Sequence, residues 1–430
     1  MLGLVGVTMR KVVHRFGAIV MAVALSLIGF QQVHAAVVVK WTKRSVSGVH
    51  DWVGIANSTT GKAAAAVDYG GRIWTTANSG NTWTERTSLD ANVWTAVAMS
   101  NDGKNLTAGA EDGSYAYSAD SGATWTKGET TLPASVSCIA ASDDGMTLAA
   151  TVLAKASVWM STDGGATWSE SASGIKQFQC VAISGDGQTV IATILDSGVY
   201  VSTDSGATWL SYFYSQKHAW AGASGIACSA DCSSVVAVEQ LGAIYQSSDS
   251  GVTWAKLATA GTGFNGVSSS NDGKTLATYE VNEDQDNGLG RIHLSFDAGK
   301  TWEKQTALPA LTWPVVSVAG SGTSFIAMDA ISQVYTSIEL FAPTTPKIKV
   351  TYKFSKGKAQ LKWVRPAATP ERPILRFEYR VGSGKWISMK LTSTINLTKL
   401  TKGKTYVVQV RAVNQVGNSG VTTLRFKQKL

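Results

Sequence analysis

Six tryptophans, at positions 83, 125, 168, 209, 254 and 302, each close an eight-residue stretch with a hydroxyl at its first place and a carboxylate, or once an amide, at its third. Residues 161–168 (STDGGATW) are the clearest copy; 118–125, 202–209, 247–254 and 295–302 repeat it, and 76–83 carries Asn78 where the others have Asp. The carboxylates Asp120, Asp163, Asp204, Asp249 and Asp297 could do acid–base work, hold a cation, or take up backbone N–H groups of their own turns. The spacing favours the third use. Each of these five copies holds a single acid beside a Ser and a Gly that permits positive φ, which is the composition of a locally fastened turn. Trp125, Trp168, Trp209, Trp254 and Trp302 then supply core mass.

Other reactive groups are sparse. Between residues 36 and 340 the only arginines are Arg44, Arg72, Arg86 and Arg291, a poor set for a triad that grips a carboxylate. Asp51 and Asp90 could act as the paired acids of a glycoside hydrolase, and nothing in their spacing selects them. Residues 282–288 (NEDQDNG) alternate polar and acidic groups as a calcium loop does, but the Gly comes one place late and no closing Glu follows at the right distance. A solvated loop is expected, with no metal site and no cofactor. Cys228 and Cys232 bracket Ser229, Ala230 and Asp231, where sister repeats turn tightly, so a bridge between them is expected. Cys138 and Cys180 stand at one equivalent repeat position and read as separate small buried thiols.

The elements that must carry these groups repeat every 40–50 residues or so, the mark of a propeller or array. Alternating apolar residues lead to Asp-Gly turns at 102–103, 144–145, 186–187 and 272–273, a second strand follows, a third enters the eight-residue stretch and a fourth leaves it. Six such units precede residue 313, and Trp313 to Tyr335 offers three more strands without a fourth. Residues 37–42 (VVVKWT) have no unit of their own. Pairing them with the last unit closes a seven-bladed β-propeller over residues 36–340 and leaves no open sheet edge. Ahead of it, Arg10, Lys11 and Arg15, an apolar run and Val33-His34-Ala35 read as a signal peptide, 1–35, so export is expected and no permanent membrane span. At the start of successive units, Trp52, Trp94, Phe178, Phe264 and Trp313 fall at one position, shared with Val136 and Ala223. They are either packing between blades or a stacking platform for a ligand.

The eight-residue stretch resembles the Asp-box, or BNR repeat, of sialidases, sortilin-type receptors, some glucanases and photosystem II assembly factors. That resemblance covers about residues 37–338 and implies a propeller. The early Arg-Ile-Pro motif that sialidases carry is not matched, since Gly71-Arg72-Ile73 leads into Trp74. After a linker at 341–346, residues 347–430 resemble a fibronectin type III domain through Leu361-Lys362-Trp363, Tyr379, and Leu400 with Tyr406 six residues on. The implied fold is all-β: an Asp-box propeller followed by a β-sandwich.

Charge separates the two. Residues 344–430 hold 19 Lys and Arg against two acids, Glu371 and Glu378, so +17, while the rest holds 19 basic against 28 acidic residues. Lys349, Lys353, Lys358 and Lys362 alternate along strands and are the candidate contacts to an anionic polymer. No recognition motif for nucleic acid is present. The expected function is a secreted or envelope-bound binding or adhesion protein, its propeller meeting a glycan or protein ligand and its basic module anchored to anionic polymer. The alternatives are a secreted glycoside hydrolase and, by resemblance, an assembly factor for a membrane complex. Oligomeric state is not legible in the sequence.

Overall fold

A computed structural model describes residues 38–153, 157–172, 178–194, 198–212, 223–239, 242–257, 263–281, 289–340, 353–355, 357–364, 374, 376–389, 391, 394–413 and 418–428. The expected signal peptide, the linker, Lys349 and the 282–288 loop lie outside them. The described residues form strands and turns without a helix. They fall into two compact units, divided between Leu340 and Phe341.

In the first unit, Trp52–Asn57, Ala64–Asp68, Ile73–Thr76 and Thr84–Arg86 pair antiparallel in chain order. Five further sheets repeat that order, opening with Trp94–Met99, Val136–Ala141, Phe178–Ile183, Ala223–Cys228 and Phe264–Ser269. The seventh contains Val315–Val318, Ser324–Met328 and Val334–Leu340, and its fourth, outer strand is Val38–Arg44 from the other end of the unit. First strands of successive sheets lie side by side, and that of the seventh lies beside that of the first.

Composition explains the layering. Second strands such as 64–68 (AAAVD), 148–152 (LAATV) and 190–194 (VIATI) are buried at every position. Strands buried on both faces read as continuous apolar runs, and the many alanines let neighbouring sheets approach closely. Outer strands are the opposite: Thr126–Lys127, Ala255–Lys256 and Glu303–Lys304 are two residues long and exposed. Short charged edges offer little template for pairing with another chain.

The turns between first and second strands form a closed circuit of backbone hydrogen bonds. The N–H of Thr59 donates to the carbonyl of Asn101, Asn101 to Asp143, Asp143 to Gly185, Gly185 to Ala230, Ala230 to Asn271, and Asn271 to Gly320; Ser321 donates back to Thr59. All these bonds measure 2.6–2.9 Å. Each turn thus satisfies its neighbour's orphan amide at the inner edge of the sheets.

The second unit has a three-stranded sheet (Lys353–Ser355, Lys358–Lys362, Thr394–Leu397) and a four-stranded one in the order Ile387–Met389, Arg376–Val381, Thr405–Val413, Thr422–Lys427. Leu361, Trp363, Ile395 and Leu397 share one core with Phe377, Val408, Val410 and Phe426. The Thr401 N–H donates to the Tyr406 hydroxyl at 2.8 Å, tying the start of the Thr405–Val413 strand to the chain before it.

Candidate functional site

The loudest residues of the sequence are occupied by their own turns. Ser118 Oγ donates to Asp120 Oδ1 (2.8 Å) and accepts the Gly122 N–H (2.9 Å). Asp120 in turn accepts the Thr124 N–H (2.8 Å) and hydroxyl (2.6 Å). The same bonds recur around Asp163, Asp204, Asp249 and Asp297. In the first sheet Asn78 takes over with its amide oxygen, accepting from Thr76 Oγ1 and the Thr82 N–H. These bonds, the Thr124 and Thr208 hydroxyls foremost, hold Asp120 and Asp204 down to about 2. A carboxylate so engaged is an anchor for its turn rather than a proton carrier. Of the box tryptophans, Trp125 is buried and Trp168, Trp209, Trp254 and Trp302 are half-buried. They pack into the seams between sheets: Trp125 shares a core with Ala65, Val67 and Ile73 of the preceding sheet.

A second set of carboxylates lies beside the first. Asp102 accepts from Ser100 Oγ (2.7 Å) and the Lys104 N–H (2.9 Å) within the turn that joins first to second strand, and Asp144, Asp186, Asp231 and Asp272 repeat this. Backbone bonds such as Ser121 N–H to Lys104 O join each box to the inner turn of its own sheet. Both carboxylate sets therefore share one end of the sheets.

The five aligned aromatics do not form a stacking platform. Trp52, Trp94, Phe178, Phe264 and Trp313 are 0–3% exposed, so no ligand ring can lie on them. Each inserts into the sheet before it: Trp52 against Ile326, Met328 and Val334, and Phe178 against Ala149, Val158 and Met160. A register shift follows most of them, between Trp52 and Gly54, Trp94 and Ala96, Phe178 and Val181, and Phe264 and Val267. The bulge turns the aromatic sideways into the seam and leaves the next residues unpaired at the inner edge.

Those inner edges line a cavity of about 400 Å3. Every sheet contributes its first strand to the wall, with Val53, Val97, Ile139, Val181, Ile226 and Val267 among the apolar groups and Thr95, Ser137, Ser268 and Ser317 among the hydroxyls. Buried threonines brace the bulges: Thr193 Oγ1 donates to the Cys180 carbonyl and Thr278 Oγ1 to that of Gly266. Arg44, Arg72, Arg86, Arg291, Asp51 and Asp90 are not among the lining residues. Arg44 instead donates to Thr336 Oγ1, Arg72 pairs with Glu85 and bonds the Leu89 carbonyl, and Arg86 donates to Thr75 Oγ1.

The cysteines are all bonded. Cys228 and Cys232 join across their turn with Cα atoms 4.9 Å apart, and Cys232 stands at φ 50° where sister turns have Gly. Cys138 and Cys180 are not separate thiols; they join the third and fourth sheets with Cα atoms 5.1 Å apart, on the cavity wall. Their equivalence in the repeat is the reason, because equivalent places on adjacent first strands face one another. A sequence separation of 42, one repeat, was the available signal.

Two clusters carry no motif. His50, 7% exposed, faces an oxygen at both ring nitrogens, Asp68 Oδ2 and the Ser47 carbonyl, each at 2.8 Å, and lies 4.6 Å from Trp52 and 4.8 Å from Trp74. The His50 backbone N–H donates to Ser332 Oγ (2.5 Å), in the turn between two strands of the seventh sheet, so the group latches the first and last sheets together. In the sixth sheet Glu280 accepts from Lys304 (2.9 Å) and meets His293 (3.3 Å). Burial lowers the His293 pKa, against the pull of Glu280. In the second unit, Lys358 and Lys362 stand exposed at the two ends of one strand, on the face that also carries Gln360. Lys353 lies in the strand paired with it.

No family model matches the sequence, and no curated protein matches it. Solved structures do. YCF48 from Cyanidioschyzon merolae is similar at 15% identity over 69% of this chain and 98% of that one, with a TM-score of 0.54. YCF48 bound to D1 peptide is similar at 14% identity over 69% and 96%, TM-score 0.54, and the WD40 repeats of RRP9 at 12% over 71% and 100%, TM-score 0.57. At such identities the likeness speaks for the fold alone: repeated four-stranded antiparallel sheets in an all-β, propeller-like arrangement.

Proposed function

We propose that this chain is an exported binding protein: a seven-bladed Asp-box propeller that receives a peptide segment of a protein partner at its axial cavity, followed by a basic fibronectin type III module that rests on anionic envelope polymer. The turn-to-turn circuit and the side-by-side first strands support the count of seven blades. The Thr401–Tyr406 bond and the shared two-sheet core support the sandwich reading of the second unit. The 1–35 stretch supports export.

One observation carries the binding role. The cavity wall offers apolar side chains, hydroxyls and bulged backbone, which is the equipment of a concave recognition site. A propeller of similar fold is described as bound to a peptide, which favours a peptide over a glycan as the occupant. To test this, a random-peptide library is panned on the mature chain and the enriched peptides are titrated against the Val53→Arg variant. Peptides whose affinity falls about tenfold or more, roughly 1.4 kcal/mol, with the melting temperature unchanged, support the reading. Turnover of any member of a glycosidase substrate panel defeats it, as do peptides indifferent to the variant.

A further inference from the structure

The basic unit presents two different cationic faces, and they are not equivalent. On the three-stranded sheet, Lys358 and Lys362 are exposed and make no side-chain bond to the described residues. On the four-stranded sheet the inward side chains are Phe377, Val408, Val410, Ala412 and Phe426, so their alternates, Arg376, Glu378, Arg380, Gln409, Arg411, Arg425 and Lys427, share the outer face. Five cations there answer to one acid.

These arginines are held in place. Glu378, 8% exposed, takes a bidentate pair from Arg376 (3.0 and 2.9 Å) on one oxygen and another from Arg411 (2.9 and 2.7 Å) on the other. Trp386 engages the guanidinium of Arg411 at 4.1 Å from its ring centroid and that of Arg380 at 4.7 Å. Arg380 gives its Nε proton to Gln409, which donates on to Thr423 (3.2 Å), and both Arg380 Nη groups lack a partner among the described residues. Arg425 is exposed one strand further on. A guanidinium fixed by stacking and by one bond has already lost much of its rotamer entropy, so its remaining donors meet an anion at lower cost than a free lysine does.

We infer that the Arg380–Arg411–Arg425 face, and not the lysine stripe, is the docking surface of the basic unit, and that its partner is a linear glycan bearing carboxylates. The inference rests on the proposed anchoring role of that unit. Guanidinium groups of this face already pair with a carboxylate, Arg376 and Arg411 with Glu378, and the charge imbalance of +17 supplies the attraction. Nucleic acid fits less well, because single strands are held by stacking on free aromatic faces and Trp386 is already engaged by two guanidinium groups.

The test uses the mature full chain and three immobilised probes: polygalacturonate as the carboxylate glycan, with poly(glycerol phosphate), a sugar-free phosphodiester, and a DNA homopolymer of equal charge as the comparison polymers. Binding is measured at low and moderate salt for the wild type, R380Q/R425Q, R425Q alone, R380K and K358Q/K362Q. The expected result is a loss of about tenfold in R380Q/R425Q, about 1.4 kcal/mol, and of less than threefold in K358Q/K362Q. R380K, which keeps the charge and loses the fork, should not recover wild-type affinity. R425Q alone removes a side chain that bonds nothing in the described structure, so it reports on docking even where the double variant unfolds. Equal losses from both faces, or full rescue by R380K, overturn the inference while the anchoring role stands. Tighter binding to poly(glycerol phosphate) or to DNA than to polygalacturonate overturns the choice of partner. Absence of binding to every probe by the wild type at low salt sinks the anchoring role and the inference together.

Discussion

Each sheet of the first unit has an inner and an outer margin, and the two are built on opposite principles. At the inner margin the first strands bulge, plug their aromatics into the neighbouring sheet and pass backbone hydrogen bonds from turn to turn around the unit. At the outer margin a hydroxyl, an Asp (once Asn78) and a Thr close each box within a few residues, beside strands of two to four residues. Inner parts depend on each other; outer parts fasten themselves. Self-sufficiency demands side chains of fixed type at fixed spacing, so the outer margin is loud in sequence. Mutual dependence is met by backbone amides and by almost any bulky apolar group, so the inner margin is quiet.

The contrast breaks first at the seam. Trp52→Ala should lower the unfolding free energy by about 3–5 kcal/mol, read from urea denaturation, because the cavity left between two sheets cannot collapse without moving both. Next comes the inner turn, where Gly145 sits at φ 71° and an added Cβ would lie 2.8 Å from Asn105 Cβ and 2.9 Å from Ser100 Cβ. Gly145→Ala should cost about 1–3 kcal/mol by the same measurement. Asp163→Ala at the outer margin should cost only about 1 kcal/mol, since one turn loses its fastener and no neighbour follows. An equal cost for Trp52→Ala and Asp163→Ala would erase the distinction between the margins.

Acid offers a gentler probe. The carboxyls of Asp120 and Asp204 titrate near 2 in the folded chain, below the ordinary aspartate value of about 3.9. Their contribution is therefore present above pH 4 or so and is lost as pH falls through about 2. D120N/D204N, which copies the natural Asn78 box, should melt with a shallower fall between pH 5 and 2 than the wild type. The smallest effect is expected at Ala298, whose φ of 59° is left-handed where the Asp163 box has Gly164. Ala298→Gly should raise stability by about 0.5 kcal/mol, the relief of strain being partly offset by glycine's larger unfolded entropy.

Legibility followed the same division. The box residues could be read as turn fasteners because hydroxyl, carboxylate and glycine at fixed places carry their physical reason with them. Trp52 and its equivalents could be aligned, but alignment does not say whether an aromatic faces solvent or the next sheet, and here the bulge decides it. Cys138 and Cys180 were misread because a contact between repeats is invisible until the repeats are wrapped side by side. The His50 latch and the Arg380 face lacked any motif, since their partners come together through register and not through spacing.

The hydrogen-bond circuit through Thr59, Asn101, Asp143, Gly185, Ala230, Asn271 and Gly320 also frees the fold from its own ends. The chain leaves each outer strand to begin the next sheet, yet at the inner margin the hoop passes from the seventh sheet to the first through an amide and a carbonyl, with no covalent link at that step. It has no beginning. A gene rearranged to start at the outer strand of any other sheet, with the native ends of the unit joined by a short linker, should still assemble the same hoop, so new termini can be placed wherever a fusion partner is wanted.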